Sequence, residues 1–302
     1  MVNKISIIIP TKDGEATLPK LLAMVEKQKI EFSYEVLAVD SGSKDDTLRI
    51  LEKYDVKIIE ISPWSFTHGR ARNIGAKHSL GRLLIFLNQD ATPFDENWLN
   101  ELIIPVVKNY SVSSFSRQIP YPDLSPSEKI FMNMIYPAKA KLITAKDLLR
   151  KDMFGMVLFS TVSACIKRHI WERFKFNEEI AACEDQELAC RLLEAGFKLS
   201  YSPSSKVYHS HNCGLITTFM RYFDVGWGVS MIPELNKRNP LDTLCKMIEL
   251  IKTTITCCSA SEGIDGILHI ITKNLGFVAG KSAYQIPDFA RRVFSYTLNK
   301  RM

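Results

Sequence analysis

The 302-residue sequence has no apolar run approaching the roughly 18 residues that a membrane-spanning helix requires. Its amino terminus, MVNKISIIIPTKDGE, lacks the longer apolar stretch of a secretory signal, and Asp13 and Glu15 follow the short run at once. No C-x-x-C pair occurs among its seven cysteines, an odd number, which points to reduced thiols and a reducing compartment. No G-x-G-x-x-G follows the first apolar run and no G-x-x-x-x-G-K-[ST] appears anywhere, so dinucleotide-binding and P-loop readings lose their support. Internal repeats and low-complexity tracts are also missing. The net charge of +6 is uneven: residues 237–302 carry ten Lys/Arg against five Asp/Glu. A near-neutral remainder excludes a whole-chain nucleic-acid binder. The basic end suits either an anionic surface such as a membrane or a solvated helical face.

Apolar residues make up 46% of the chain, enough for a sizeable core. The first half alternates in type. Short β-branched runs at 4–10, 34–40, 56–62, 82–90 and 111–118 are separated by stretches of helical spacing. SKDDT (43–47) has the form of a capping box, and Pro105 is expected to stop a helix begun near residue 97. Such alternation predicts a parallel sheet with right-handed crossovers. Residues 120–160 read as a loop-rich, mobile insertion. KLSYSP and KVYHSHN read as two short strands, and residues from about 214 onward as helices.

Six features fall at strand ends or helix starts, where such sheets place their chemistry. Thr11, Asp13 and Gly14 follow the first strand, and Asp40 ends the second; base or ribose contacts and ordinary turn bonding explain them equally. FTHGRARNIGA (66–76) puts His68, Arg70, Arg72 and Asn73 in the opening turns of a helix, a possible anion site. In FLNQDATP (86–93), Asp90 is open to three roles: metal ligand, base or helix cap. Asn88, on the same side of an extended strand, would join it in holding a divalent cation. CEDQE (183–187) places Glu184 and Asp185 at a helix start, where the helix dipole is expected to keep a carboxylate ionised. VYHSH (207–211) alternates, so His209 and His211 share a face and either could complete a metal shell with Asp90.

Taken in order, SIIIPTKDGEATL, YEVLAVDSGSKDDT, ARNIGAKHSLGRLLIFLNQDATP, CEDQELACRLLEAGFKLSYSP and VYHSH resemble the family 2 glycosyltransferases of GT-A architecture, over about residues 4–211. FTHGRARNIGA, NQDA, SRQIPYPD and RYFDVG look like the rhamnosyltransferase branch of surface-polysaccharide assembly.

The resemblance implies an α/β fold, a Rossmann-like, mostly parallel sheet flanked by helices. A transferase unit would span 1–213, with residues 1–118 for the nucleotide sugar and 119–213 for the acceptor; a helical, membrane-approaching region would span 214–302. It assigns Thr11, Asp13, Asp40, Arg72, Asn88, Gln89 and Asp90 to the nucleotide sugar, Asp185 to the catalytic base and Glu184 to its support. Arg117 and Gln118 fall to the acceptor, and Asp90 with His209 or His211 to the metal. NQD stands where the family has Asp-x-Asp, so Asn88 removes one acid and implies a loosely held Mg²⁺ or Mn²⁺. The implied reaction is inverting transfer, of rhamnose from dTDP-rhamnose or of a UDP- or GDP-linked sugar, to a saccharide or polyprenyl-linked saccharide at the inner face of the plasma membrane. Two rivals remain: a nucleotidyltransferase, for which TKDGEAT is a poor phosphate loop, and a non-catalytic nucleotide-sugar-binding module.

Overall fold

Nine strands form one sheet: β1 (Lys4–Thr11), β2 (Ser33–Asp40), β3 (Lys57–Glu60), β4 (Leu83–Leu87), β5 (Thr92–Pro93), β6 (Ser113–Ile119), β7 (Lys141–Ile143), β8 (Ser163–Lys167) and β9 (Leu199–Tyr208). The structure is a computed structural model that describes residues 4–149, 156–180, 182–236 and 240–299. The strand order is β3-β2-β1-β4-β8-β6-β9-β5, with β7 also paired to β9. β3, β2, β1 and β4 are parallel. β8 is antiparallel to both β4 and β6, so β6 and β9, parallel to each other, run with the first four. β5 and β7 are antiparallel to β9. The expectation of a sheet with parallel crossovers therefore holds for the first half, whereas the second half is mixed.

Both faces of the sheet are covered, which is why its strands read as unbroken apolar runs. Ile5, Ile7 and Ile9 of β1, with Ile85 and Leu87 of β4, pack beneath α1 (Leu18–Glu26) and α4 (Trp98–Val107). Ile8, Leu84 and Phe86 point the other way, toward α3 (His68–His78) and α7 (Glu184–Glu194), whose Leu188 and Leu192 are fully buried. The remaining helices of this part are α2 (Thr47–Lys53), α5 (Pro126–Ile135) and α6 (Arg168–Arg173). α4 runs through Pro105 because Pro removes only one helical hydrogen bond and lies within the last turn of the helix. SKDDT forms no capping box: Asp46 is the N-cap of α2 without a side-chain bond, and Ser43 is bonded elsewhere. Residues 120–149 are not loop-rich but hold α5 and β7; the end of that predicted insertion includes 150–155, outside the described residues. The two short strands expected near residue 200 are one, β9, shifted by three residues against β6 between Ser116 and Arg117.

From residue 215 the chain is helical: α8 (Leu215–Ser230), α9 (Pro233–Asn236), α10 (Pro240–Cys257), α11 (Ala260–Lys281), α12 (Asp288–Phe294) and α13 (Tyr296–Asn299). α8 and α11 approach so closely that a Cβ on Gly280 would lie 2.0 Å from the Phe223 carbonyl oxygen, and one on Gly226 2.1 Å from that of Phe277. Among the described residues no helix is long and apolar enough to cross a membrane.

Candidate active site

The parallel strands deliver Thr11, Asp40, Leu87, Ile119 and Tyr208 to one edge of the sheet, and β8, running the other way, delivers the residues just before Ser163. The site is built on that edge.

On one side, the loops after β1, β2 and β4 are laced to one another. Asp40 is 1% exposed; it accepts from the Gly42 and Ser43 amides at 2.9 Å, from the Ser43 hydroxyl at 2.5 Å and from the Thr11 hydroxyl at 3.3 Å. Gly42, at φ +84°, supplies the left-handed turn this requires. Asp13 (φ +46°) donates its amide to Ser43 Oγ, and its carboxylate accepts from the Lys44 amide at 2.8 Å. Turn bonding is present at Thr11 and Asp40, whose side chains shape the loop. Gln89 joins this lacing: its Oε1 accepts from the Lys12 amide and its Nε2 donates to the Lys12 carbonyl, at 2.9 and 2.8 Å. It fastens one loop to the other.

β4 ends at Leu87, and Asn88–Ala91 is a turn closed by the Ala91 amide on the Asn88 carbonyl. The expected extended strand would have put Asn88 and Asp90 side by side; the turn separates them. Asn88 Oδ1 accepts from Arg72 Nη2 at 3.1 Å, while Arg72 Nη1 is ion-paired to Glu184 Oε1. Arg72 and Glu184 are both buried. Burial opposes ionisation of Glu184, but Arg72 and His68 more than offset it and hold its pKa below the ordinary carboxylate range. Arg72 is therefore a neutralised strut between the β4 turn and α7, not an open anion site. Of its three expected companions, His68 helps lower the Glu184 pKa, Arg70 is exposed, and Asn73 holds the Trp171 indole and both the amide and the carbonyl of Phe176.

Asp90 turns toward the end of β9. His209 Nε2 lies 3.5 Å from its Oδ1 and His211 Nε2 3.7 Å from its Oδ2. Ligand atoms of the three residues all lie within 4.8 Å of one another. Burial works against the Asp90 charge, yet the two histidines overcome it and hold this carboxyl well below its usual range. One carboxylate oxygen and two imidazole nitrogens form a donor set that fits a divalent ion, and both histidines join it, where the sequence left the choice open. Gln118, expected at the acceptor, instead has its Oε1 2.8 Å from His209 Nδ1. Arg117 is not in the site: it bonds Asn133 Oδ1 and lines a separate open polar cleft of about 440 Å³ with Asp95, Glu101 and Lys206.

Asp185 is the second residue of α7, whose N-cap Cys183 takes the left-handed conformation (φ +67°) that non-glycine residues hold only under restraint. Its Oδ2 accepts from the Thr161 amide at 3.2 Å and its Oδ1 from the Gln186 amide at 2.8 Å. Burial and the neighbouring Glu184 charge push its pKa up to about 6, the reverse of the lowering expected from the helix dipole. Gln186 fixes the adjoining segment, accepting from the Val157 amide and donating to the Phe159 carbonyl. Ser160, Thr161 and Gln186 were not singled out from the sequence; two of their contacts are made by backbone groups, which residue identity does not announce.

A model of the family described as glycosyl transferase family 2 matches residues 6–168, more than half of the chain. The chain belongs to the family 2 glycosyl transferases. It is 30% identical over 226 residues to the O-antigen chain rhamnosyltransferase RfbN of Salmonella typhimurium, covering 74% of this chain and 71% of that one. It is 32% identical over 224 residues to the O-antigen chain rhamnosyltransferase WbaN of Salmonella anatum, covering 73% and 70%. In fold it is similar to Staphylococcus aureus TarS 1–349 (TM-score 0.57, 18% identity, 93% of this chain and 91% of that one). It is also similar to the mannosyltransferase PcManGT of Pyrobaculum calidifontis, solved with GDP-Man and Mn²⁺ (TM-score 0.60, 13% identity, 91% and 86%). This glycosyltransferase accordingly has the GT-A-like architecture expected of it.

Proposed function

We propose that this glycosyltransferase moves rhamnose from dTDP-rhamnose to a hydroxyl of a lipid-linked O-antigen saccharide, with inversion at the anomeric carbon. The observation that carries the chemistry is Asp185, a carboxyl with a pKa near 6 held by two backbone amides. A base so poised is ionised at neutral pH and still basic enough to draw a proton from the acceptor hydroxyl as the new bond forms. Glu184, neutralised by Arg72, raises the proton affinity of Asp185 without competing for the acceptor. Asp90, His209 and His211 would hold a divalent ion. Such an ion supplies positive charge where the diphosphate leaves. Attack from the side opposite the diphosphate inverts the carbon. The two Salmonella relatives support rhamnose as the sugar and O-antigen as the product. Donor assays separate the possibilities: transfer from dTDP-rhamnose, with dTDP released and a product of inverted linkage, is expected. Preference for a UDP- or GDP-linked sugar overturns the donor assignment.

The lipid-linked acceptor fits the outer face of α11. Ile264, Leu268, Ile271, Leu275 and Val278 form a seam with 4-3-4-3 spacing, and each is 44–63% exposed. The glycine face of the same helix is consumed by α8. With the +5 balance of residues 237–302, this seam suits an anionic bilayer. Sedimentation with phosphatidylglycerol vesicles, abolished by the pair Ile271→Glu and Leu275→Glu, is the expected result. No binding by the parent, or a dimer that the same pair dissociates, removes the membrane role.

A further inference from the structure

Gln118 was expected to touch the acceptor, yet it is 5% exposed and every polar atom of its side chain is spent inside the protein. Its Oε1 faces His209 Nδ1 at 2.8 Å; its Nε2 donates to the Tyr136 hydroxyl at 2.7 Å and to the Ser160 hydroxyl at 3.1 Å. An amide nitrogen has two hydrogens, and here it has two acceptors. The carboxamide sits with its oxygen toward the imidazole, an orientation in which both of its hydrogens are satisfied. A carbonyl oxygen cannot donate, so in this placement a neutral His209 carries its one proton on Nδ1 and turns the lone pair of Nε2 toward Asp90 and His211. An imidazole nitrogen that bears a hydrogen cannot ligate, so the opposite amide orientation would close the site to an ion.

The same cluster differs in donor chemistry from a pair of acids. Asn88, where a second carboxylate is expected, is turned to Arg72. That leaves one carboxylate and two imidazoles, each of which ligates only through a nitrogen that bears no hydrogen.

We infer that Gln118 is a positioning residue that holds His209 ready as a metal ligand. This rests on the metal reading of that cluster and adds which residue orients its imidazole. Ser160 gives the arrangement a second consequence. Its hydroxyl supports Gln118, and the next amide, that of Thr161, supports Asp185. The ion side and the base side of the site thus share one short piece of chain.

The test uses the full chain without nucleotide. Mn²⁺ binding is followed by electron paramagnetic resonance in the parent, Gln118→Leu and Gln118→Glu. Gln118→Leu should weaken Mn²⁺ by about 10- to 100-fold, the usual cost of losing a partner of a ligating histidine. Gln118→Glu keeps an acceptor for Nδ1–H and should stay within about threefold of the parent. A merely structural role predicts damage from both variants; only the acceptor role predicts rescue by Glu. Nitrogen NMR of the metal-free parent above pH 8 adds a measurement that needs no variant: His209 should carry its proton on Nδ1, and an Nε2–H tautomer overturns the proposal. Unchanged Mn²⁺ affinity in Gln118→Leu overturns the role of Gln118 while leaving the metal reading in place. Absence of Mn²⁺ binding by the parent removes the metal reading itself, and leaves Asp185 as base untouched.

Discussion

Asp90 and Asp185 are the same residue type at one edge of the sheet, and their surroundings pull them apart. Both are half-buried, and burial alone would favour the neutral acid. At Asp90 two imidazoles, positive when protonated, reverse that tendency and keep the charge in place. At Asp185 burial is joined by the Glu184 carboxylate, which outweighs Arg72, and the group is driven toward the proton instead. The sign of the neighbouring charge, more than depth of burial, separates a group suited to gripping a cation from one suited to accepting a proton.

That contrast can be tested by removing one pole at a time. The largest effect is expected from Asp185→Asn, which should lower kcat by about 10²- to 10⁴-fold, the range for losing a general base. Nucleotide-induced thermal shifts should be unchanged; a shift lost along with turnover would place Asp185 in donor binding. Next comes the strut between the poles. Arg72→Met leaves Glu184 buried without its partner and should destabilise the protein by about 3–5 kcal/mol in urea unfolding. Adding Glu184→Gln to that variant should recover most of the loss, and a strictly additive double variant would deny their coupling. His211→Ala should weaken Mn²⁺ by about 10- to 100-fold without altering the pH dependence of turnover measured at saturating Mn²⁺.

The subtlest test concerns Asp185 alone. It acts deprotonated, so kcat/KM should rise with pH, reach half its plateau near pH 6 and flatten above. Glu184→Gln removes the charge that raises Asp185, so the rising limb should move to lower pH. A limb that stays in place would show that burial sets the pKa by itself. Asp90, held below the usual range, should add no limb of its own.

Much of this was readable in the sequence because apolar periodicity and the order of short motifs are local properties. The co-directional strands β1, β2, β3, β4 and β6, the buried stripe of α7, and the approach of Asp90 to a histidine of VYHSH follow from runs and alternations visible in one line of letters; that both histidines meet it does not. Direction in space was not readable. FLNQD looks like a strand to its last residue, and only the turn at Asn88 sends that side chain to Arg72 and Asp90 elsewhere. SRQ likewise offers two polar neighbours on one strand, of which one reaches His209 and the other a different cleft. The pKa of Asp185 depends on Glu184 being buried beside it, and the laced loops of Thr11, Asp40 and Gln89 depend on backbone amides that belong to no motif.

β8 runs against both of its neighbours, and this reversal has a consequence for how such a protein can diversify. Its entrance, not its exit, opens on the reacting groups, so whatever length of polypeptide precedes Ser163 is fed directly onto the rim where an incoming sugar chain would rest. Changes between Ile119 and Ser160 that spare Tyr136, Val157, Phe159 and Ser160, the partners of Gln118 and Gln186, can then reshape that rim while the pairing of the described strands, apart from the short β7, is left as it stands.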